Sequence, residues 1–307
     1  MNLAEVTKLN EEEAREYLEA IRWPSGPVCP FCGIMAVTKL QGKSTRPGVY
    51  KCKGNGCRKK FTVTVGSIFE RSHIKLREWV IAFHLMCSSK KGISAHQLHR
   101  SLGITYKSAW FMCHRIRHAM STGDLKRPKL SGVVEADETY VGGKPRIKGT
   151  SKPGKGTNKA PVVALVERDG TVRVVHMPHV TAKNLRQHIR QNLETEAVLN
   201  TDESPLYTKI GREQAAHNVV KHRDGVYAKG DAYTNTVESF FALIKRGIYG
   251  NFHHCSKKHL QKYCNEFAFR WDYRKTDDSD RRDAALSMAE GKRLTYKQPI
   301  GKGRGQA

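Results

Sequence analysis

Acidic residues are scarce in this 307-residue chain: 29 Asp and Glu stand against 54 Lys and Arg, a formal net charge of +25. That imbalance opposes compaction by self-repulsion, and a polyanionic partner is the simplest reason to keep it. Long apolar runs are missing as well. The best candidate, Trp79 to Cys87, carries His84 and falls well short of the roughly 20 residues a bilayer span requires. Nucleic acid therefore leads an anionic membrane surface as the expected partner, and no membrane role is expected. A signal-peptide layout is also lacking, because the opening MNLAEVTKLNEEEAREYL is acidic and helical rather than basic and then apolar. A cytoplasmic, nucleoid-associated protein is the expectation. There are no internal repeats and no disulfide-like cysteine framework. Four of the eight cysteines form one cluster, while Cys87, Cys113, Cys255 and Cys264 are scattered. In a reducing compartment that split implies one metal site and four ordinary thiols.

What is present divides into five stretches. Residues 1–27 hold an N-terminal helix, with Asn10 as N-cap of 10–21 and Trp23-Pro24 ending it. Residues 28–66 are Gly-rich and close on a β-type run, Phe61 to Val65. Over 75–121 the apolar positions shift to helical spacing. Residues 131–275 alternate strand and helix signals: strands at Gly132–Val141, Ala160–Val166, Thr171–His176, Ala197–Thr201 and Asn218–His222, a helix opening at Thr181, another from Thr234 to Arg246, and one through 257–272. Between the first two strands, 144–159 carries six basic residues and no acidic one, which predicts a mobile loop. Residues 276–307 read as a basic C-terminal tail, disordered after Glu290.

The clustered cysteines form two knuckles, Cys29-Pro-Phe-Cys32 and Cys52-Lys-Gly-Asn-Gly-Cys57, with 19 residues between them. Four thiolates on tight turns suit one tetrahedral zinc, and Gly33, Gly54 and Gly56 supply the backbone freedom. With all four positions filled by protein, such a Zn²⁺ is structural. Residues 93–118 then read as helix, tight turn at Gly103, and second helix. The second helix is expected to expose Tyr106, Lys107, His114, Arg115 and Arg117 to DNA phosphates or base edges. A plain helical hairpin with a solvated basic face is the alternative.

Three acids carry the chemistry. Asp137 lies in a strand, Asp202 ends the strand Val198–Asp202, and Glu238 follows 36 positions later with helical spacing. An acid in a strand, one at a strand's end and one on a later helix form the ribonuclease-H-like layout. Phosphodiester cleavage calls for two Mg²⁺ (or Mn²⁺) ions about 3.5–4 Å apart, which hard carboxylate oxygens bind well. The same centre would support attack by a DNA 3′-hydroxyl. Lys245, two helical turns after Glu238, and Arg246 could hold DNA phosphate. Each acid alone has an ordinary alternative: Asp202 could cap the next helix and Glu238 could pair with a lysine. Glu135 shares the strand face of Asp137 and is a rival ligand or support, Glu138 should point away, Asn235 rivals Glu238, and His222 is a further candidate ligand.

On these residues the chain resembles insertion-sequence transposases of the ISXO-two-like (IS-fifteen-ninety-five) family. The blocks carrying the resemblance are Glu135-Ala-Asp-Glu-Thr-Tyr-Val-Gly-Gly143, Thr234-Asn-Thr-Val-Glu-Ser-Phe240 with Lys245-Arg246, and Tyr263-Cys-Asn-Glu-Phe-Ala-Phe-Arg270. It implies an α/β multidomain protein: an N-terminal zinc ribbon and helix-turn-helix, then a ribonuclease-H-like mixed-sheet catalytic domain. It also implies a DDE(K) centre at Asp137, Asp202, Glu238 and Lys245. The expected activity is metal-dependent cleavage and joining of double-stranded DNA, transposon ends and target alike, by a homodimer or higher oligomer. A non-catalytic zinc-ribbon regulator and a nuclease of the same fold are the rival expectations. The ending Arg270-Trp-Asp-Tyr-Arg-Lys275 departs from the family's Asn-Arg-rich pattern.

Overall fold

The computed structural model describes residues 1–121, 127–142, 159–220, 228–229 and 232–301. Most of the basic loop 144–159, and the candidate ligand His222, lie outside the described residues. The chain forms two compact units, one built from Met1–Met120 and Lys275–Ala307, the other from Ser121–Arg274.

The first unit opens with two short helices, α1 (Leu3–Lys8) and α2 (Glu11–Arg22). Both begin with a capping box, in which Asn2 or Asn10 accepts from the helix's first amides and a glutamate reaches back. A three-stranded antiparallel ribbon follows, β1 (Val37–Lys39), β2 (Tyr50–Cys52) and β3 (Lys60–Phe61). The expected strand through Val65 is shorter than its composition suggested, because Thr62 to Ser67 turn back on themselves. Next come α3 (Leu76–Ser88), α4 (Ala95–Leu102) and α5 (Tyr106–Ala119). Gly103, at φ 65°, ends α4 in the left-handed conformation that favours glycine. The expected helix, tight turn and helix is therefore observed.

The second unit is built on a five-stranded mixed sheet. Its strands are β4 (Val133–Val141), β5 (Ala160–Glu167), β6 (Val172–His176), β7 (Val198–Asp202) and β8 (Ala216–Val220), in the order β6-β5-β4-β7-β8. Only β5 runs against the others: it is antiparallel to both β4 and β6, while β4, β7 and β8 are parallel. A strand order of 3-2-1-4-5 with the second strand reversed is ribonuclease-H-like. After β6, Thr181 caps α6 (Ala182–Asn192). A short hairpin, β9 (Ala228–Lys229) and β10 (Ala232–Tyr233), leads into α7 (Asn235–Gly247) and α8 (Lys257–Asp272).

Helices cover both faces of the sheet. Val162, Ala164 and Val166 of β5 pack with Val237, Phe240, Ile244 and Phe267 of α7 and α8. Val163 and Leu165 pack with Leu185 and Ile189 of α6 on the other side. Burial on both faces explains why β5 reads as an unbroken apolar run.

The C-terminal stretch is a correction. Residues 276–307 were expected to be a tail, yet α9 (Asp278–Ser287) packs against α3 and α2 and buries Arg282, Ala285 and Leu286. Ala289 and Leu294 are buried too, and a short helix α10 (Lys297–Ile300) follows. No described helix is long and apolar enough to cross a membrane.

Candidate functional site

The geometry starts from strand register. β4 and β7 run parallel with Glu135 opposite Asn200 and Ala136 opposite Thr201. One step further, Asp137 and Asp202 lie side by side on neighbouring strands roughly 4.8 Å apart. Alternation settles the face. Val134 and Ala136 point into the core under α6, so Glu135 and Asp137 point to the α7 side. Asp202 shares the face of Asn200, whose Nδ2 donates to the Tyr233 carbonyl just before α7 (3.4 Å).

Glu135 fixes the third acid. Its carboxylate is fully buried and accepts from the Thr236 amide (2.7 Å), the Thr236 hydroxyl (2.9 Å) and the Val237 amide (3.0 Å). It thus caps the N-terminus of α7 from the neighbouring strand, where amide donors and the positive end of the helix dipole favour a carboxylate. Arg168 holds the other side, with its Nε donating to Glu135 at 3.0 Å and its guanidinium over the Tyr233 ring at 3.5 Å. This clamp ties the first turn of α7, with exposed Glu238, to β4 two residues from Asp137. Four protein donors therefore converge on the Glu135 carboxylate. Asn235 is exposed at the first position of the same helix.

The electrostatics reflect this convergence. Burial first, and then the charges of Glu138, Asp202 and Glu238, push the Asp137 carboxyl up to about 7, against a hydrogen bond from the Glu138 amide that favours its ionised form. Negative charge is in surplus here, a deficit that divalent cations would offset. Hard oxygen donors at the carboxyl end of parallel strands fit such ions. The acids are more widely set than the zinc-type cluster below. Among the described residues, the four cysteines are the one group of possible ligands all within 4.8 Å of one another.

The remaining expectations divide. Asp202 Oδ1 accepts the Ser204 amide (3.0 Å), a local turn that leaves its other oxygen for different partners. Lys245 is half-buried on α7, seven residues and about 10 Å of helical rise beyond Glu238, and Arg246 is exposed. Glu138 does point away, accepting from the buried Tyr207 hydroxyl at 2.7 Å on the opposite face. The Glu135–Arg168 clamp and the Tyr207–Glu138 pair were not foreseen. His217 bonds the Thr201 hydroxyl (2.9 Å).

The first unit holds the cysteine cluster. Cys29 and Cys57 sulfurs are 3.8 Å apart, and those of Cys32 and Cys52 are 3.5 Å apart. Tetrahedral zinc with bonds of about 2.3 Å sets sulfur–sulfur edges near 3.8 Å. The first knuckle closes through Gly33 N–H to Cys29 O (2.9 Å), with Gly33 at φ 75°. In the second, the Gly54 amide donates to Cys52 Sγ (3.3 Å). These four residues form a structural zinc site.

The expected DNA-reading face of α5 is partly overturned. His114, Arg115 and Arg117 are 0 %, 6 % and 2 % exposed, so they cannot present themselves to DNA. Arg115 donates to the Leu294 carbonyl (3.3 Å) and the Glu70 carbonyl (3.1 Å) and stacks on Phe111. Its apparent surface position is covered by the C-terminal segment. Tyr106 and Lys107 do remain exposed, Tyr106 stacked on His96 and Lys107 over the Tyr296 ring.

Zinc ribbon and ribonuclease-H-like sheet, with paired carboxylates at the strand ends, define a class of two-unit α/β proteins. Comparison with known proteins narrows it. The ISXO2-like transposase domain matches residues 129–272, and the transposase zinc-ribbon domain matches residues 9–60. An uncharacterized protein in transposable element ISH50 of Halobacterium salinarum is 30 % identical over 278 residues, covering 86 % of this chain and 92 % of that one. The chain belongs to the ISXO2-like transposase family. Among solved structures it is similar to a chain of a simian T-cell lymphotropic virus intasome complex (14 % identity, TM-score 0.28). That match spans 63 % of this chain and 65 %, just under two thirds, of the other. It is also similar to a chain of the Mos1 strand transfer complex (13 % identity, TM-score 0.28), over 66 % of this chain and 74 % of that one. Likenesses this weak add nothing to the argument from topology.

Proposed function

We propose that this protein is a DNA transposase whose Asp137, Asp202 and Glu238 hold a pair of Mg²⁺ or Mn²⁺ ions and cut and join DNA strands. The observation that carries the reading is the shared register of Asp137 and Asp202 on one sheet face, with the Glu135 carboxylate gripping the first turn of the helix that bears Glu238. When bound, the ions supply an activated attacking oxygen and stabilise the leaving oxygen. The chain's own residues do the rest. Asp137 and Asp202 offer oxygens from a rigid sheet, Glu238 closes the site from the helix, and Glu135 keeps that helix in place. Lys245 and Arg246 contact DNA phosphates further along α7. Tyr106 and Lys107, at the start of α5, contact the element's terminal repeats. Pairing two ends calls for at least a homodimer on DNA. Family membership and the net charge of +25 support DNA as substrate.

The test is Mg²⁺-dependent cleavage and joining of duplexes carrying the element's ends, with wild type beside Asp137→Ala, Asp202→Ala and Glu238→Ala. Loss in all three variants with folding intact is expected. Undiminished activity in any of them refutes its assignment, and hydrolysis without joined product would favour a nuclease.

A further inference from the structure

The zinc ribbon carries two features that a purely structural metal site does not need. From Ala20 to Phe69 there is no Asp or Glu, while nine residues are Lys or Arg. Lys53, Arg58, Lys59 and Lys60 are all exposed around the second knuckle. The second feature is apolar. Of nine large hydrophobics exposed among the described residues, three fall within five positions of the first knuckle: Phe31 at 48 %, Ile34 at 41 % and Met35 at 54 %. The two features touch, because Lys59 Nζ sits 4.7 Å from the centre of the Phe31 ring.

This patch is rigidly mounted. The Cys29 amide donates to the Ile34 carbonyl (3.0 Å), so the segment carrying Phe31 and Ile34 is closed on the knuckle. Ile34 Cδ1 lies over Gly54, where even a Cβ would come within 2.9 Å of it. The backbone between Cys29 and Ile34 is therefore tied to the first knuckle, and Ile34 rests against the second. A rigid apolar tip in a cationic rim has one fitting polyanionic partner. Duplex DNA offers phosphates to the rim and, between base steps in the minor groove, an apolar slot that Phe, Ile or Met side chains enter.

We propose that Phe31, Ile34 and Met35 form a wedge that Lys53, Arg58, Lys59 and Lys60 press into the minor groove of duplex DNA, so that the zinc ribbon bends DNA. This rests on the reading of duplex DNA as substrate, but not on the carboxylate chemistry. The experiment uses the full zinc-loaded chain, without Mg²⁺ or Mn²⁺, on a duplex carrying fluorescent donor and acceptor at its two ends. Wild type should bring the ends closer. Phe31→Ser with Met35→Ser should abolish the change in energy transfer while leaving the salt dependence of binding intact. Alanine at the four basic positions should flatten the slope of log K against log salt by up to about 3.6, at roughly 0.9 for each phosphate no longer neutralised. Zinc content and melting temperature check that both variants fold; Met35→Ser alone, at the most exposed position, serves if the double variant does not. Wedge variants that bend DNA as wild type does would overturn the proposal, as would an unchanged salt slope. If wild type binds no duplex, the substrate reading fails with it. If it binds and bends but never cuts, only the chemistry fails.

Discussion

Replacing Glu135 tests whether that residue organises the site or ligates metal within it. The carboxylate is completely buried and accepts from Arg168 Nε, the Thr236 amide, the Thr236 hydroxyl and the Val237 amide, all between 2.7 and 3.0 Å. Glu135→Ala strands a largely buried guanidinium and two helix-terminal amides. Removing one partner of such a pair costs about 3–5 kcal/mol. For a unit of this size, that lowers Tm by roughly 6–20 °C. Glu135→Gln keeps an acceptor for the amides but loses the ion pair, and should cost about 1.5–3 kcal/mol. Activity should fall further than stability, because Glu238 sits one turn from the clamp and a displacement of ~1 Å at a reacting centre can cost ~100-fold. Thermal melting of the full chain, with Mn²⁺ binding measured well below the transition, separates the roles. The reasoning is refuted if Glu135→Ala melts like wild type, or if it loses a bound Mn²⁺ without losing stability.

Three further outcomes follow from the same structure. Because the Asp137 carboxyl is raised from its ordinary 3.8 to about 7, the folded protein holds that proton more tightly than the unfolded chain does. Metal-free stability should therefore fall as pH rises from about 4 to 7, and Mg²⁺ should raise Tm more at pH 8 than at pH 5; an equal gain at both would contradict the charge surplus. Arg115→Ala should lower Tm by several degrees, since its guanidinium is buried against two carbonyls, whereas Lys107→Ala should leave Tm unchanged and weaken DNA binding. Stripping zinc with a chelator should unfold the ribbon, seen as loss of protection of the Cys29 and Cys52 amides in hydrogen exchange, with the mixed sheet unaffected.

Much of this architecture was legible because it is local. Asn10 and Thr181 announce their helices through caps that depend only on the next three residues. The apolar run at Ala160 reports a strand buried on both faces, and the cysteine spacing reports its own ligand set. The sequence failed where burial is settled by distant segments. Arg115 looks like an exposed basic residue on a helix until Leu294, 179 positions later, covers it. Arg282 reads as part of a charged tail, yet it is fully buried beside His84 in the first unit. Glu135 was recognised as a rival to Asp137, but alternation could not tell ligand from support. Its donors lie on a helix a hundred residues away, and only their amides reveal which it is.

The central claim is that three carboxylates hold divalent ions. Anomalous scattering from crystals soaked in Mn²⁺ locates such ions directly. The account predicts manganese bracketed by Asp137, Asp202 and Glu238, with Glu135 still on the amides of Thr236 and Val237, and no such peaks in Asp137→Ala. Manganese absent from that site, or bound through Glu135 instead, would contradict it.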